Sequence, residues 1–152
     1  AMNVIECALE IKAEAHELAR QWNIRKNWLR NIELNIGLHY EKAYIGTLSA
    51  SSGDILTSFG QGLRVAGAIS HLSDNGQIWA SKPVIVQMPA ADRKTLRFGI
   101  MHTDTSHSNH FIRNGFATIG SVVEGRLSNW IIENELGFLP VTQILDLSGG
   151  ED

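Results

Sequence analysis

The sequence predicts an α+β fold, with helices laid over one face of a sheet, and three observations predict it. Apolar residues near the N-terminus recur at steps of four and three, the period of one helix face. Short alternating or β-branched runs follow, separated by clusters of Gly, Ser and Asn, as in strands joined by turns. Both patterns are intermixed along a chain of 152 residues, a length that suits a single domain, residues 1–152, around one core.

Each element has its own justification. Val4, Ala8, Ile11, Ala15, Leu18 and Trp22 fall on one face of a helix over residues 3–22, and no Gly or Pro interrupts it. That face either packs on the sheet or forms a short parallel coiled-coil seam, weakened by its alanines. The basic, aromatic run NIRKNWLRN at 23–31 reads as a connection in which Trp22 and Trp28 are placed to cover a partner surface. Leu34, Ile36 and Leu38 alternate with polar residues as a half-buried strand does. Residues 41–46 read as a second short strand or as the first continued after a bend, and residues 49–54, rich in Ser, as a loop.

Residues 61–72 carry Leu63, Val65, Ala66, Ala68, Ile69 and Leu72 at helical spacing, and Gly76 suits the left-handed turn that follows. Residues 77–80 form a strand. Lys82–Met88 is open between a helix begun by Pro83 and a strand favoured by Val-Ile-Val. Within the C-terminal part, 95–147, strands are expected at 95–101, 116–123 and 140–147, with a polar loop at 102–114 and a short helix at 129–136.

Composition narrows the function classes. Hydrophobic residues make up 43% of the chain and charged residues 19%, with a net charge of −3. That balance lacks the basic footprint of a nucleic-acid binder. Cys7 is the only cysteine, so no intrachain disulfide forms, which fits a reducing, cytoplasmic setting. No apolar run reaches the roughly 18–20 residues that span a bilayer, and the N-terminus lacks a signal-peptide pattern. Ala1 stands ahead of Met2, which reads as the native start; the alternative is a piece of a longer chain.

The richest stretch lies between Leu34 and Ser81. Ile36-Gly37-Leu38-His39 and Gly46 are followed by a loop, then by Gly60 and the apolar helix spacing to Leu72, then by a turn and Gly76-Gln77-Ile78. This order resembles the core of the class III adenylate/guanylate cyclase catalytic domain, whose pattern runs IGIHxGxxxxG, a loop, GxxVNxAARL, a turn and GQI. The spacing matches without a gap from Gly37 to Ile78. Phe116, Gly120, Val122 and PVTQIL at 140–145 are loosely similar to the end of that domain.

The resemblance implies a ferredoxin-like, nucleotide-cyclase-type sheet, shortened at its N-terminus, and a family in which two domains pair head to tail and share active sites. It also implies a chemistry whose parts are replaced in this chain. Where the family reads the base edge with an Asp-Tyr pair, this chain has Ile55 and Leu56. Arg64 stands at the Asn position and Ala68 at the Arg position that stabilises the transferring phosphorus. The family's metal-binding aspartates lie upstream of the first helix, and no Asp precedes Asp54 here. Removing one oxyanion-type donor costs about 100- to 1000-fold in rate. The resemblance therefore implies no catalytic residue and no cofactor, with Mg²⁺ or Mn²⁺ only if an intact site is completed elsewhere. Arg64 remains a candidate phosphate fork.

Three functions follow. The first is a non-catalytic signalling or dimerisation module, pairing with a second copy or another cyclase domain. In the second, the chain is the C-terminal part of an active cyclase whose metal ligands lie upstream or on a partner. The third is a small-molecule sensor whose former nucleotide cleft is lined by Ile55, Leu56, Phe59 and Leu63. Beside these, His102, Asp104, His107 and His110 crowd into nine residues as metal-ligand types, though in a polar loop that does not fix their geometry. His39 and His71 read as packed or capping residues, Trp79 as core and Trp130 as an interface aromatic.

Overall fold

The first helix, α1 (Met2–Lys26), runs one turn past its expected end. The basic run predicted as a connection continues the helix, because Arg25 and Lys26 lie in its last turn and complement the negative end of the helix dipole. Asn27 closes the helix in the left-handed conformation at φ 51°, its N–H turned back onto the Asn23 and Ile24 carbonyls. The Asn23 side chain then brackets Arg30, donating to its carbonyl at 2.7 Å and accepting from its N–H at 3.4 Å. The structure is a computed structural model that describes residues 1–51, 53–72, 75–103, 108–123 and 136–147.

The remaining elements are β1 (Ile36–Leu38), β2 (Tyr44–Ala50), β3 (Gly53–Phe59), α2 (Gln61–Ser70), β4 (Ile78–Ser81), α3 (Lys82–Val86), α4 (Ala90–Thr95), β5 (Leu96–Thr103), β6 (Asn109–Arg113), β7 (Ala117–Thr118), α5 (Ile119–Val122) and β8 (Pro140–Leu147). A 3-10 turn covers Leu136–Phe138. The main sheet has the order β1-β4-β8-β5-β6, with β7 also paired to β8. β1 and β4 are parallel and every other pair in it is antiparallel, so the sheet is mixed and the class is α+β.

α2 is the crossover between the parallel strands β1 and β4. It lies so close to β1 that a Cβ at Gly37 would collide with the Ala66 carbonyl and the Ser70 N–H. Gly76, at φ +62°, makes the left-handed turn before β4, as its sequence context predicted. The 82–88 segment resolves as helix, with Pro83 in the first turn of α3, where its missing N–H costs nothing.

Helices cover both faces of the sheet, not one. All four residues of β4 are buried. Ile78 and Ala80 pack with Ile5 and Ala8 of α1 and with Val84 and Ile85 of α3. Trp79, pointing the opposite way along the strand, packs with Val65, Ala68 and Ile69 of α2 and with Ile119 of α5. A strand buried on both faces reads as a continuous apolar run rather than an alternating one, and Ile-Trp-Ala at 78–80 is such a run.

Other expectations are also revised. Residues 49–50 and 53–54 pair across an antiparallel hairpin, β2–β3, which forms a separate two-stranded sheet. Its serines hide the strand signal, and one of them, Ser49, donates across the hairpin to Asp54 at 2.7 Å. Within the expected loop at 102–114, residues 102–103 and 109–113 are strand, paired antiparallel as the ends of β5 and β6, and residues 104–107 lie outside the described residues. The expected strand at 116–123 shrinks to β7, and α5 takes over after it. Thr118 caps α5 by accepting from the Ser121 N–H at 3.3 Å. Ile119 and Val123, four residues apart, are both buried, so packing overrides their β-propensity. The helix expected at 129–136 lies outside the described residues except for Leu136.

Candidate functional site

The positions singled out by the cyclase resemblance are held by two elements, β3 and α2. Ile55 and Leu56 sit on β3, opposite Leu48 and Thr47 of β2. Being consecutive strand residues, they face opposite sides of the hairpin. Neither side is covered: Ile55 is 53% exposed and Leu56 is 74% exposed. Arg64, on α2, is exposed and has no ion-pair partner among the described residues. Ala68, one turn further on, is 4% exposed and belongs to the core against Trp79.

The four positions therefore do not converge on one cleft. Two occupy opposite faces of an exposed hairpin, one is on the solvent side of α2 and one is inside the core. Leu63 is 69% exposed, so with Ile55 and Leu56 it lies open to solvent rather than enclosing a pocket. Cavities occur elsewhere. One of about 500 Å³ is lined by Leu18, Gln21, Trp22, Ile24 and Arg25 at the end of α1. Another, of about 460 Å³, lies beside α4 and β5, with Arg93, Lys94 and Arg113 at its wall.

Of the histidine-rich run, His102 and His110 are direct cross-strand partners in β5–β6, and both are exposed. Asp104 and His107 lie outside the described residues, as does Trp130. Among the described residues no group of three or more His, Cys, Asp or Glu is placed to hold a metal ion. His71 is the residue after the last turn of α2, and Trp79 is 7% exposed in the core; both match their expected roles.

Sequence reasoning passed over one polar constellation. His39, just beyond β1, shares a hydrogen bond with Ser81 through Nδ1 and Oγ at 2.8 Å. Its Nε2 faces a carboxylate oxygen of Glu41 at 3.7 Å. Burial pushes the His39 pKa below its ordinary 6.5, against a smaller upward pull from Glu41. Serine, imidazole and carboxylate thus stand in the order used by nucleophilic hydrolases. Ser81, however, is 0% exposed, so no substrate reaches its hydroxyl. The constellation ties the end of β1 to the β4–α3 junction and gives a buried hydroxyl its partner. The only sequence signal for it is a His directly after an apolar strand.

Comparison with protein-family models, curated proteins and solved structures gave no match. Among the described residues no helix is long and apolar enough to cross a membrane.

Proposed function

We propose that this chain is a cyclase-homology domain of ferredoxin-like type that performs no cyclisation of its own and acts by contact, as a signalling or dimerisation module. The observation that carries the reading is the β2–β3 hairpin. It is a two-stranded sheet outside the main one, and it displays Tyr44, Ile45, Leu48, Ile55 and Leu56 at 51–82% exposure. An isolated hairpin is marginally stable in water, and an exposed apolar patch of this kind marks an interaction surface. The apolar pair at the base-reading position of the resembled motif thus lies on an arm suited to a partner domain.

Ala68 supports the catalytically silent part of the reading. Its position faces the core, where a guanidinium has no phosphate to meet and would be buried without a counter-charge. Arg64 remains open to solvent as a fork for a phosphate-bearing ligand, which leaves nucleotide binding without turnover compatible with the reading.

The contact role is tested by charging the hairpin. Ile45→Lys with Leu56→Lys alters exposed side chains only, so stability changes by less than about 0.5 kcal/mol per site. Association with a competent class III cyclase domain, followed by isothermal calorimetry, weakens at least tenfold in the double variant. Undiminished association would remove the hairpin from the proposal.

A further inference from the structure

α4 and β5 join without a loop. Leu96 closes α4 in the extended conformation and is also the first residue of β5. Arg93 and Lys94, in the last turn of α4, therefore stand beside the start of that strand. β6 returns antiparallel along β5 and places Arg113 opposite Gly99. Asn114 then turns the chain at φ 58°, a left-handed conformation that Asn tolerates, and its N–H donates to the Phe98 carbonyl at 2.9 Å. Segments distant in sequence thus meet at one cavity of about 460 Å³, whose lining includes Arg93, Lys94, Leu96, Phe98, Arg113 and Asn114.

The wall of this cavity is cationic, and no Asp or Glu among the described residues lines it. Arg93, Lys94 and Arg113 are exposed, and none has an ion-pair or side-chain hydrogen-bond partner among the described residues. Arg97, between the two floor residues in sequence, is by contrast paired with Asp146 at 2.8 Å. The dipole of α4 favours cations at Arg93 and Lys94, but Arg113 comes from a strand, where no such dipole selects it. Three unpaired cations around one cavity repel one another, and an anion bound between them removes that repulsion. The floor is apolar and fixed. Leu96 is 1% and Phe98 5% exposed, and the Phe98 ring rests against Phe116 with their centroids 5.8 Å apart.

We propose that this cavity binds a small phosphate monoester whose body is apolar. The phosphoryl group, which carries close to two negative charges at neutral pH, lies between Arg93, Lys94 and Arg113. Each guanidinium offers it a planar fork of donors, and Lys94 adds a compact charge. The apolar body lies on the floor of Leu96 and Phe98 and along the aliphatic stems of the cationic side chains. A concave site with an apolar floor and a few convergent polar groups suits a small molecule. A nucleic-acid backbone calls for an extended basic face, and this acidic chain, of net charge −3, has none in its sequence. The site uses different elements from the β2–β3 hairpin and from Arg64 on α2, and it does not depend on the cyclase reading.

Phenyl phosphate is the probe, titrated into the full chain by isothermal calorimetry at low salt. It binds saturably, and inorganic phosphate and benzoate, each lacking one half of the recognised chemistry, bind about tenfold more weakly or less. Arg93→Gln and Arg113→Gln, both at exposed sites and with unchanged circular dichroism, each weaken phenyl phosphate about tenfold. Arg64→Gln on α2 leaves its affinity unchanged. In amide proton–nitrogen correlation spectra of the unaltered chain, the probe shifts residues 93–98 and 113–114 and not residues 62–66. The proposal is overturned by the absence of saturable binding, or by undiminished binding in either Arg93→Gln or Arg113→Gln. Equal affinity for inorganic phosphate would remove the apolar floor from it, and equal affinity for benzoate the phosphoryl group; either overturns it as stated. Binding lost on Arg64→Gln, with shifts confined to 62–66, overturns it in favour of the α2 fork.

Discussion

His39 and Ala68 show how much one side chain's surroundings decide. The His39 ring is 10% exposed, shares a hydrogen bond with Ser81 and has a pKa lowered by burial. The folded chain therefore holds this proton less tightly than the unfolded chain does. The stabilisation from neutral His39 is complete above the ordinary value of 6.5 and is lost as pH falls below it. Urea unfolding from about pH 7.5 to about pH 5 will show a steeper loss of stability in the native sequence than in His39→Gln; equal slopes would count against this account. Ala68→Arg tests the other residue. It restores the residue type of the resembled motif at a position that is 4% exposed. It is expected to destabilise the fold by about 3 kcal/mol through overpacking and an unpaired buried charge, with no gain in nucleotide turnover. The sequence marked Ile55, Leu56, Arg64 and Ala68 as the positions that differ from the resembled motif. It did not show that Arg64 and Ala68, four apart on α2, would lie one in solvent and one in the core, because helical phase gives a direction and not the depth of what packs there.

At the scale of elements, legibility followed the strength of local periodicity. α2 and β8 matched their predicted positions closely, since each is an apolar run bounded by turn residues. α1 ran longer because its last turn is held by the helix dipole and by Asn27, signals that composition read as a linker. The β2–β3 hairpin was hidden by Ser49 and Ser58, whose loop-like character is overruled by cross-strand pairing. The β1–α2 contact is the most specific prediction at this scale. A methyl group at Gly37 has no room beneath the α2 backbone. Gly37→Ala is therefore expected to cost about 3 kcal/mol, measured as a lower midpoint in denaturant. A change below about 0.5 kcal/mol would mean that α2 does not press on β1 as described.

For the whole molecule, the α+β class was readable and the layering was not. Sequence patterns marked strands and helices but could not say that β4 would be buried on both faces. That depends on α1 and α2 approaching the same strand from opposite sides. The same arrangement separates three outward surfaces: the side of α1 with Val4, Ile11 and Leu18, the β2–β3 hairpin and the exposed side of α2 with Arg64. The positions that the resemblance matched to catalysis are divided between the core, solvent and the hairpin. The most direct measurement of this account is production of cyclic nucleotide by the purified chain, supplied with ATP or GTP and Mn²⁺. The account predicts no turnover above a metal-free blank, at any chain concentration. Sustained, Mn²⁺-dependent formation of cyclic AMP or cyclic GMP by this chain alone would contradict it.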